Sequence, residues 1–347
     1  MKMRSAGLAA GLALSSVVAS SCSLDNALDV FGELQQNAWY LPTKDGQARL
    51  YVTELGEGPP VVFLHGGPGN NFYYIVDALR PHTKEARFIL FDQRGSLMSP
   101  IPDADVPALT AEVLVNDLET LREAMGLKQL VLFGHSWGSL IALKYFEGHP
   151  ENVAGLILAA AFPPKTERGV AGLGEEMRVR QGQLLDRDEE IGQVLRAAGL
   201  PEDASEDTPR QSTIRWRIQS QAPITIMDLS RWREATAAGS AVYYNHRVGM
   251  AVGGSLPDTL DFSDVITTHP VPIAVIQGDH DYLGPGAPQW QELSRDCFQV
   301  KVTVLTRSNH NAWIDAPDGF REALSEAIRF TRLVDRADED GVTGCRR

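Results

Sequence analysis

The sequence predicts an α/β architecture: a mainly parallel sheet with helices on both faces and an inserted helical cap. Three observations point there. Short apolar runs recur at 59–64, 87–91, 130–133, 153–158, 271–276 and 300–305, and continuous ones such as 153–158 suit strands buried on both faces. Longer stretches at 110–125, 136–147 and 317–334 carry helical patterns between those runs, the alternation expected of a parallel sheet. That alternation breaks from 163 to 268, a charged, helical stretch interrupted by Pro201 and Pro209, as expected of a lid over one face. With 347 residues, 43% hydrophobic and 22% charged, the chain can bury a sizeable core.

Taken in order, the run 59–64 enters His65-Gly66-Gly67-Pro68-Gly69, a loop able to aim backbone N–H groups at an anion. The run 87–91 enters Asp92-Gln93-Arg94-Gly95. Thr110 reads as a helix start, followed by Asp117, Glu119 and Glu123 on an outer face. The run 130–133 leads into Gly134-His135-Ser136-Trp137-Gly138, a G-x-S-x-G segment where a strand turns sharply into a helix. Glycines at both ends permit the tight turn that lifts the Ser136 hydroxyl towards a base.

A serine hydroxyl is a weak nucleophile at neutral pH and needs companions. The run 271–276 ends in Gln277-Gly278-Asp279-His280-Asp281, where two acids compete for one role. The last run leads into Thr306-Arg307-Ser308-Asn309-His310-Asn311, which puts His310 where a base belongs. The chain order serine, acid, histidine is that of α/β-hydrolases. His310 would take the Ser136 proton while an aspartate fixes the imidazole tautomer. Negative charge building on an acyl oxygen needs two donors: the N–H of Gly67, with Gly66 as the alternative, and that of Trp137. His65 and His135 belong to these loops and His280 adjoins the acid, while His82, His149, His246 and His269 read as surface or core residues.

Together H-G-G-P-G at 65–69, D-Q-R-G at 92–95 and G-H-S-W-G at 134–138 resemble the proline iminopeptidase family of α/β-hydrolases, over about residues 37–335. The resemblance implies Asp281 as the triad acid, three positions after Gly278, and a structural ion pair between Asp92 and Arg94. It also implies core segments at 37–162 and 269–335 and a cap at 163–268. Two departures stand out. Ser96-Leu97-Met98-Ser99 replaces the family's C-G-x-S. In the cap, the positions of the glutamates that hold a substrate ammonium match Arg233 and Tyr244, with Glu234 displaced by one residue, about 100° around a helix. The implied function is serine hydrolysis of N-terminal residues from peptides, with carboxylesterase or small-amide hydrolase chemistry as the alternative. A membrane-tethered binding protein without turnover is a third reading. Arg215-Trp216-Arg217 and Arg231-Trp232-Arg233 read as a solvated face whose arginine stems cover apolar surface, with a grip on a carboxylate or phosphate as the alternative.

The net charge is -13, and no basic run marks a nucleic-acid partner. Cysteines and histidines show no metal-ligand spacing, and a Ser-His-Asp hydrolase needs no cofactor. Lys2 and Arg4 precede a small-residue apolar stretch, so residues 1–21 read as a secretory signal. Ala19-Ser20-Ser21-Cys22 resembles a bacterial lipoprotein box, which implies a lipid-modified Cys22 and membrane attachment; simple secretion is the alternative. Export would leave Cys297 and Cys345 where a disulfide can form. Residues 336–347 form a polar tail.

Overall fold

A computed structural model describes residues 34–166, 168–235, 244–284, 286–333 and 345. The signal segment, Cys22 and all of the tail except Cys345 lie outside the described residues. Eight strands form one sheet: β1 (Trp39–Pro42), β2 (Arg49–Leu55), β3 (Pro60–Leu64), β4 (Arg87–Phe91), β5 (Leu130–His135), β6 (Val153–Ala159), β7 (Ile273–Gly278) and β8 (Val300–Leu305). Their spatial order is β1-β2-β4-β3-β5-β6-β7-β8. From β4 to β8 every pairing is parallel, while β1 and β2 add an antiparallel edge. This chain order brings the loops after β3, β5, β7 and β8 to one edge of the sheet, the carboxyl ends where ligands bind in open α/β sheets.

The two edge strands are absent from the sequence reading. They are short or mixed in polarity, and Pro42 closes β1 at the sheet margin, where a missing N–H is tolerated.

Helices cover both faces because successive strand residues point to opposite sides. Val62 and Leu64 pack with Leu118, Leu121 and Leu140, from α2 (Ala111–Ala124) and α3 (Trp137–Gly148). Val61 and Phe63 pack instead with Val76 of the short α1 (Val76–Leu79) and with Phe320 and Leu324 of the C-terminal helix, α12 (Pro317–Leu333). Thr110 starts α2 by accepting the Val113 N–H at 3.3 Å. The outer-face expectation for α2 holds for Glu123, which meets Lys44, but not for Asp117. Spaced three or four residues from Leu114 and Leu121, Asp117 lies on the inward stripe and is buried.

Between β6 and β7 the chain is helical: α4 (Gly169–Leu185), α5 (Asp188–Ala197), α6 (Pro209–Trp216), α7 (Ala222–Thr225), α8 (His246–Gly254) and α9 (Ser263–Thr268). It has its own apolar cluster, in which Ile191, Val194, Ile218, Leu229 and Trp232 close around Ile314 of the core. Pro209 does not break this segment. It starts α6, where a proline's missing N–H has no helical partner to lose, behind a Thr208/Gln211 capping box. A π turn at Arg217–Gln221 joins α6 to α7. After β7 come α10 (Gly286–Asp296) and α11 (Ala312–Asp315). A disulfide joins Cys297 to Cys345.

Candidate active site

Ser136 sits between β5 and α3 with φ 53° and ψ -120°, backbone values that cost a non-glycine residue roughly 1–3 kcal/mol. The turn is held by the Ser136 N–H, which donates to Ala159 O at 2.9 Å. Close packing explains the two glycines. A Cβ at Gly138 would strike Leu64 O, and one at Gly134 would meet Gly138 O.

The Ser136 hydroxyl opens onto a cavity of about 260 Å³ that His310 also lines. His310 Nδ1 lies 2.9 Å from Asp281 Oδ1. Asp281 is fully buried, and its oxygens also accept the Gln277 amide at 2.8 Å and the Leu283 N–H at 2.9 Å. A buried carboxylate persists only when so satisfied. Because Asp281 can only accept, Nδ1 carries the proton and Nε2 is left as a base. Nε2 faces the Tyr282 hydroxyl at 3.2 Å, and the two rings stack with centroids 4.4 Å apart.

Asp279 pairs with the His280 imidazole at 2.6 Å and leaves His310 to Asp281. The Asp279 carboxylate accepts the N–H groups of Arg307 and Ser308, each at 3.0 Å, and so fixes the loop that carries His310. Arg307 holds φ 53° there. That loop is tied to the inserted helices: Asp315 accepts the N–H of both Asn309 and Met227, and Asn311 N–H donates to Thr225 O. Burial pushes the Asp315 carboxyl up.

The oxyanion loop distinguishes its two candidate donors. Gly66 N–H donates to the Tyr74 hydroxyl at 2.6 Å, which in turn lies 2.7 Å from His135 Nδ1. With its oxygen accepting from Gly66, Tyr74 donates its proton to Nδ1, so His135 carries its own on Nε2, 3.3 Å from His310 O. Burial, reinforced by His310, holds the His135 ring well below the ordinary histidine range. Gly66 is thereby engaged, and the next amide, Gly67, lines the cavity at φ 62°. Trp137 opens α3, in the first turn where amides have no helical acceptor. His65 Nε2 accepts the Gln93 N–H at 3.1 Å, and burial lowers its pKa to about 4.

The expected Asp92–Arg94 pair does not form. Arg94 instead bridges Asp45 and Asp117, each at 2.6 Å, while Asp92 accepts the N–H groups of Phe72 and Met98. Neighbours in a loop after a strand point in different directions, and burial raises the Asp92 carboxyl to about 7.

Aromatic and amide side chains shape the rest of the cavity: Trp216, Tyr244 and Tyr282 with Asn70 and Gln221. Among the described residues no Asp, Glu, Lys or Arg lines it. The stretch 236–243 contains none of these residues either. Tyr244 borders the cavity, but Arg233 and Glu234 do not. Arg233 lies over the Trp232 ring at 4.4 Å, and Glu234 pairs with Arg231 at 2.6 Å beside a second cavity. Nor do the two R-W-R segments form one solvated face. Arg215 is buried against Asp207, Trp232 is buried, and Trp216 lines the catalytic cavity.

The model of the α/β-hydrolase fold matches residues 59–317. The proline iminopeptidase of Neisseria gonorrhoeae is 32% identical over 313 residues, covering 81% of this chain and 91% of that protein. The chain belongs to the proline iminopeptidase family of α/β-hydrolases. The Lactobacillus helveticus enzyme of the same name is 41% identical over 112 residues, 31% of this chain and 38% of that protein's length. Among solved structures, a proline iminopeptidase-related protein from Thermus thermophilus aligns with TM-score 0.60 and 27% identity, covering 85% of this chain and 98% of its own. An esterase from Rhodococcus sp. ECU1013 aligns with TM-score 0.61 at 18% identity, covering 84% and 98%, a likeness of fold alone. Within this family frame, sequence reasoning missed Tyr74, Gln277, Tyr282 and Asp315. Gln277 and Tyr282 flank Asp281 in the sequence, but no pattern there discloses where either side chain points.

Proposed function

We propose that this protein is an exported serine hydrolase that forms an acyl-enzyme at Ser136 and takes neutral acyl substrates, esters or amides, under a helical cap. The observation that carries this reading is the Asp281–His310 contact at 2.9 Å, with His310 and a strained Ser136 lining one cavity that among the described residues has no Asp, Glu, Lys or Arg in its wall. His310 removes the serine proton as Oγ attacks the carbonyl carbon. The developing oxyanion is held by the N–H groups of Gly67 and Trp137, and the imidazolium then protonates the leaving group. Water repeats the sequence to free the acid.

A second reading, release of N-terminal residues from peptides, is favoured by the 32% identity to the Neisseria proline iminopeptidase. Against it stands the lack, among the described residues, of a carboxylate lining the cavity to replace water around a substrate ammonium. A fluorophosphonate probe tests the hydrolase reading: wild-type protein becomes labelled and Ser136→Ala does not. An unlabelled, folded wild type would instead favour a tethered binding protein. A panel of acyl esters against aminoacyl arylamides then separates the two substrate classes.

The proposed export and lipid anchor at Cys22 are supported by the leader composition and by the disulfide, which suits an oxidising compartment and leaves Cys22 as the remaining cysteine. Metabolic labelling with a fatty-acid analogue should mark the wild type and not Cys22→Ser. A soluble, unlabelled wild type would mean simple secretion.

A further inference from the structure

The two N–H groups assigned to the oxyanion, those of Gly67 and Trp137, belong to different loops, one after β3 and one after β5. Their separation is therefore set by how the loops meet. They meet at Gly66, where a Cβ would lie 2.8 Å from His135 Nδ1, 3.0 Å from Ser136 Cβ and 3.1 Å from the Tyr74 hydroxyl. Tyr74 has no part in the mechanism above, yet it bonds to both sides of this junction. Its oxygen accepts the Gly66 N–H at 2.6 Å, and its O–H donates to His135 Nδ1 at 2.7 Å. Trp313 of α11 holds the ring for this, stacked on it with centroids 5.7 Å apart and an interplanar angle of 22°. Burial, against a smaller opposing effect of the Gly66 N–H, pushes the phenol's pKa up and keeps it a neutral donor.

The other side of Gly66 is fixed as well. A backbone N–H can only donate, so His65 Nε2 accepts from Gln93 and the Nδ1–H donates to Gly66 O at 3.1 Å. The Gly66–Gly67 peptide is trans, so the Gly67 N–H points opposite to that carbonyl. With its N–H on Tyr74 and its C=O on His65, Gly66 sets the direction of the Gly67 N–H. On the far side of the phenol, His135 is bonded covalently to Ser136, and its Nε2–H reaches His310 O at 3.3 Å.

We propose that Tyr74 is a positioning residue of the hydrolase, a strut whose hydroxyl fixes the Gly67 and Trp137 N–H groups relative to each other. This rests on the hydrolase reading above. Tyr74 takes no proton and acts only through the two loops. Oxyanion donors stabilise a transition state because they stand in place before the charge develops. Without the hydroxyl, Gly66 and His135 lose their common partner and the two donors lose their fixed spacing.

The test is Tyr74→Phe, which keeps the stacked ring and removes the hydroxyl. Its kcat and kcat/KM should fall together by about 10- to 10²-fold, up to the cost of a misplacement of about 1 Å, with KM unchanged. Affinity for phenylboronic acid, whose tetrahedral adduct on Ser136 puts an oxygen between the donors, should fall by the same factor. The acid limb of the pH profile, set by His310, should stay where it is in the wild type. A Tyr74→Phe enzyme with wild-type kcat, or one changed only in Tm, would overturn the strut. A crystal structure of the wild-type boronate adduct needs no variant: the adduct oxygen should lie within hydrogen-bond reach of the Gly67 and Trp137 amides, with the Gly66 N–H still on Tyr74. An adduct oxygen held by Gly66, with Tyr74 released, would equally overturn it. If wild type is labelled by fluorophosphonate in those cases, only the strut fails; an unlabelled wild type would remove the hydrolase reading and the strut with it.

Discussion

The strand-end loops of the sheet and the helices inserted between β6 and β7 are built by different rules. In the loops, side chains bond across long sequence distances: Asp281 to His310, Tyr74 to His135, Gln93 to His65. In the insertion, many polar side chains pair with neighbours three residues away at the surface, such as Arg187 with Glu190 and Arg231 with Glu234. Exposed pairs of that kind contribute little to stability, at most about 1 kcal/mol, and so constrain the sequence weakly. The comparison teaches where family chemistry can persist and where selectivity can drift. A change in the loops breaks a network, whereas Arg233, over the Trp232 ring, and Glu234, paired with Arg231, lie outside the cavity wall and can change while the fold remains.

The largest expected effect lies in the loops. Ser136→Ala should lower kcat by about 10⁶-fold, and His310→Ala by a similar factor, because triad members act as a unit. Both variants should melt near the wild-type Tm, and steady-state kinetics on a purified, folded Ser136→Ala that kept most of its activity would eliminate the mechanism. Next comes the pair of acids. Asp281→Asn should cost about 10⁴ in kcat by disturbing the His310 tautomer. Asp279→Asn should cost far less in rate and show mainly as a lower Tm, since it anchors the Arg307 and Ser308 amides. The reverse ranking would mean the wrong acid has been placed in the triad.

These loops were also the legible part of the sequence. The elbow and oxyanion glycines announce themselves because backbone geometry at Ser136 and Gly67 admits few alternatives. The six strands of the parallel sheet were visible as apolar runs, continuous in β6 and alternating with Lys301 and Thr303 in β8. Elements whose role depends on tertiary direction were not. Asp117 looked solvent-facing until α2 was turned inward against Arg94, and Asp92 sits two residues from Arg94 yet bonds backbone amides instead. Tyr74 and Asp315 act through partners 61 and 88 residues away, for which a single sequence carries no signal. In the insertion, the W-R-E-A-T stretch could be located, but not the way its charges point.

A smaller effect checks that the core can be perturbed without touching the site. Glu119 on α2 accepts from Arg122 and from the Tyr145 hydroxyl of α3, and the Arg122 guanidinium, ahead of the opposing burial effect, lowers its pKa from 4.5 to about 2. A depressed carboxylate stabilises the fold above its unfolded value, and that stabilisation is lost as pH falls from about 4.5 towards 2. Glu119→Gln should therefore lower Tm by a few degrees at pH 7, through loss of about 1 kcal/mol, and flatten the acid side of the stability curve. Thermal melts between pH 2.5 and 7 read both, and kcat/KM at pH 7 should stay at the wild-type value. An unchanged acid limb would show that the bonds at Glu119 do not contribute.

The central claim is that the loops keep hydrolase chemistry while the cavity no longer selects a charged amine. It is tested most directly by kcat/KM of the wild type on matched prolyl arylamides with a free and an acetylated nitrogen. A cavity lined by no carboxylate among the described residues predicts a ratio near one, within about threefold. A preference of about a hundredfold for the free amine, the scale of a desolvated ammonium–carboxylate pair, would contradict it and place an ammonium-binding acid in the site after all.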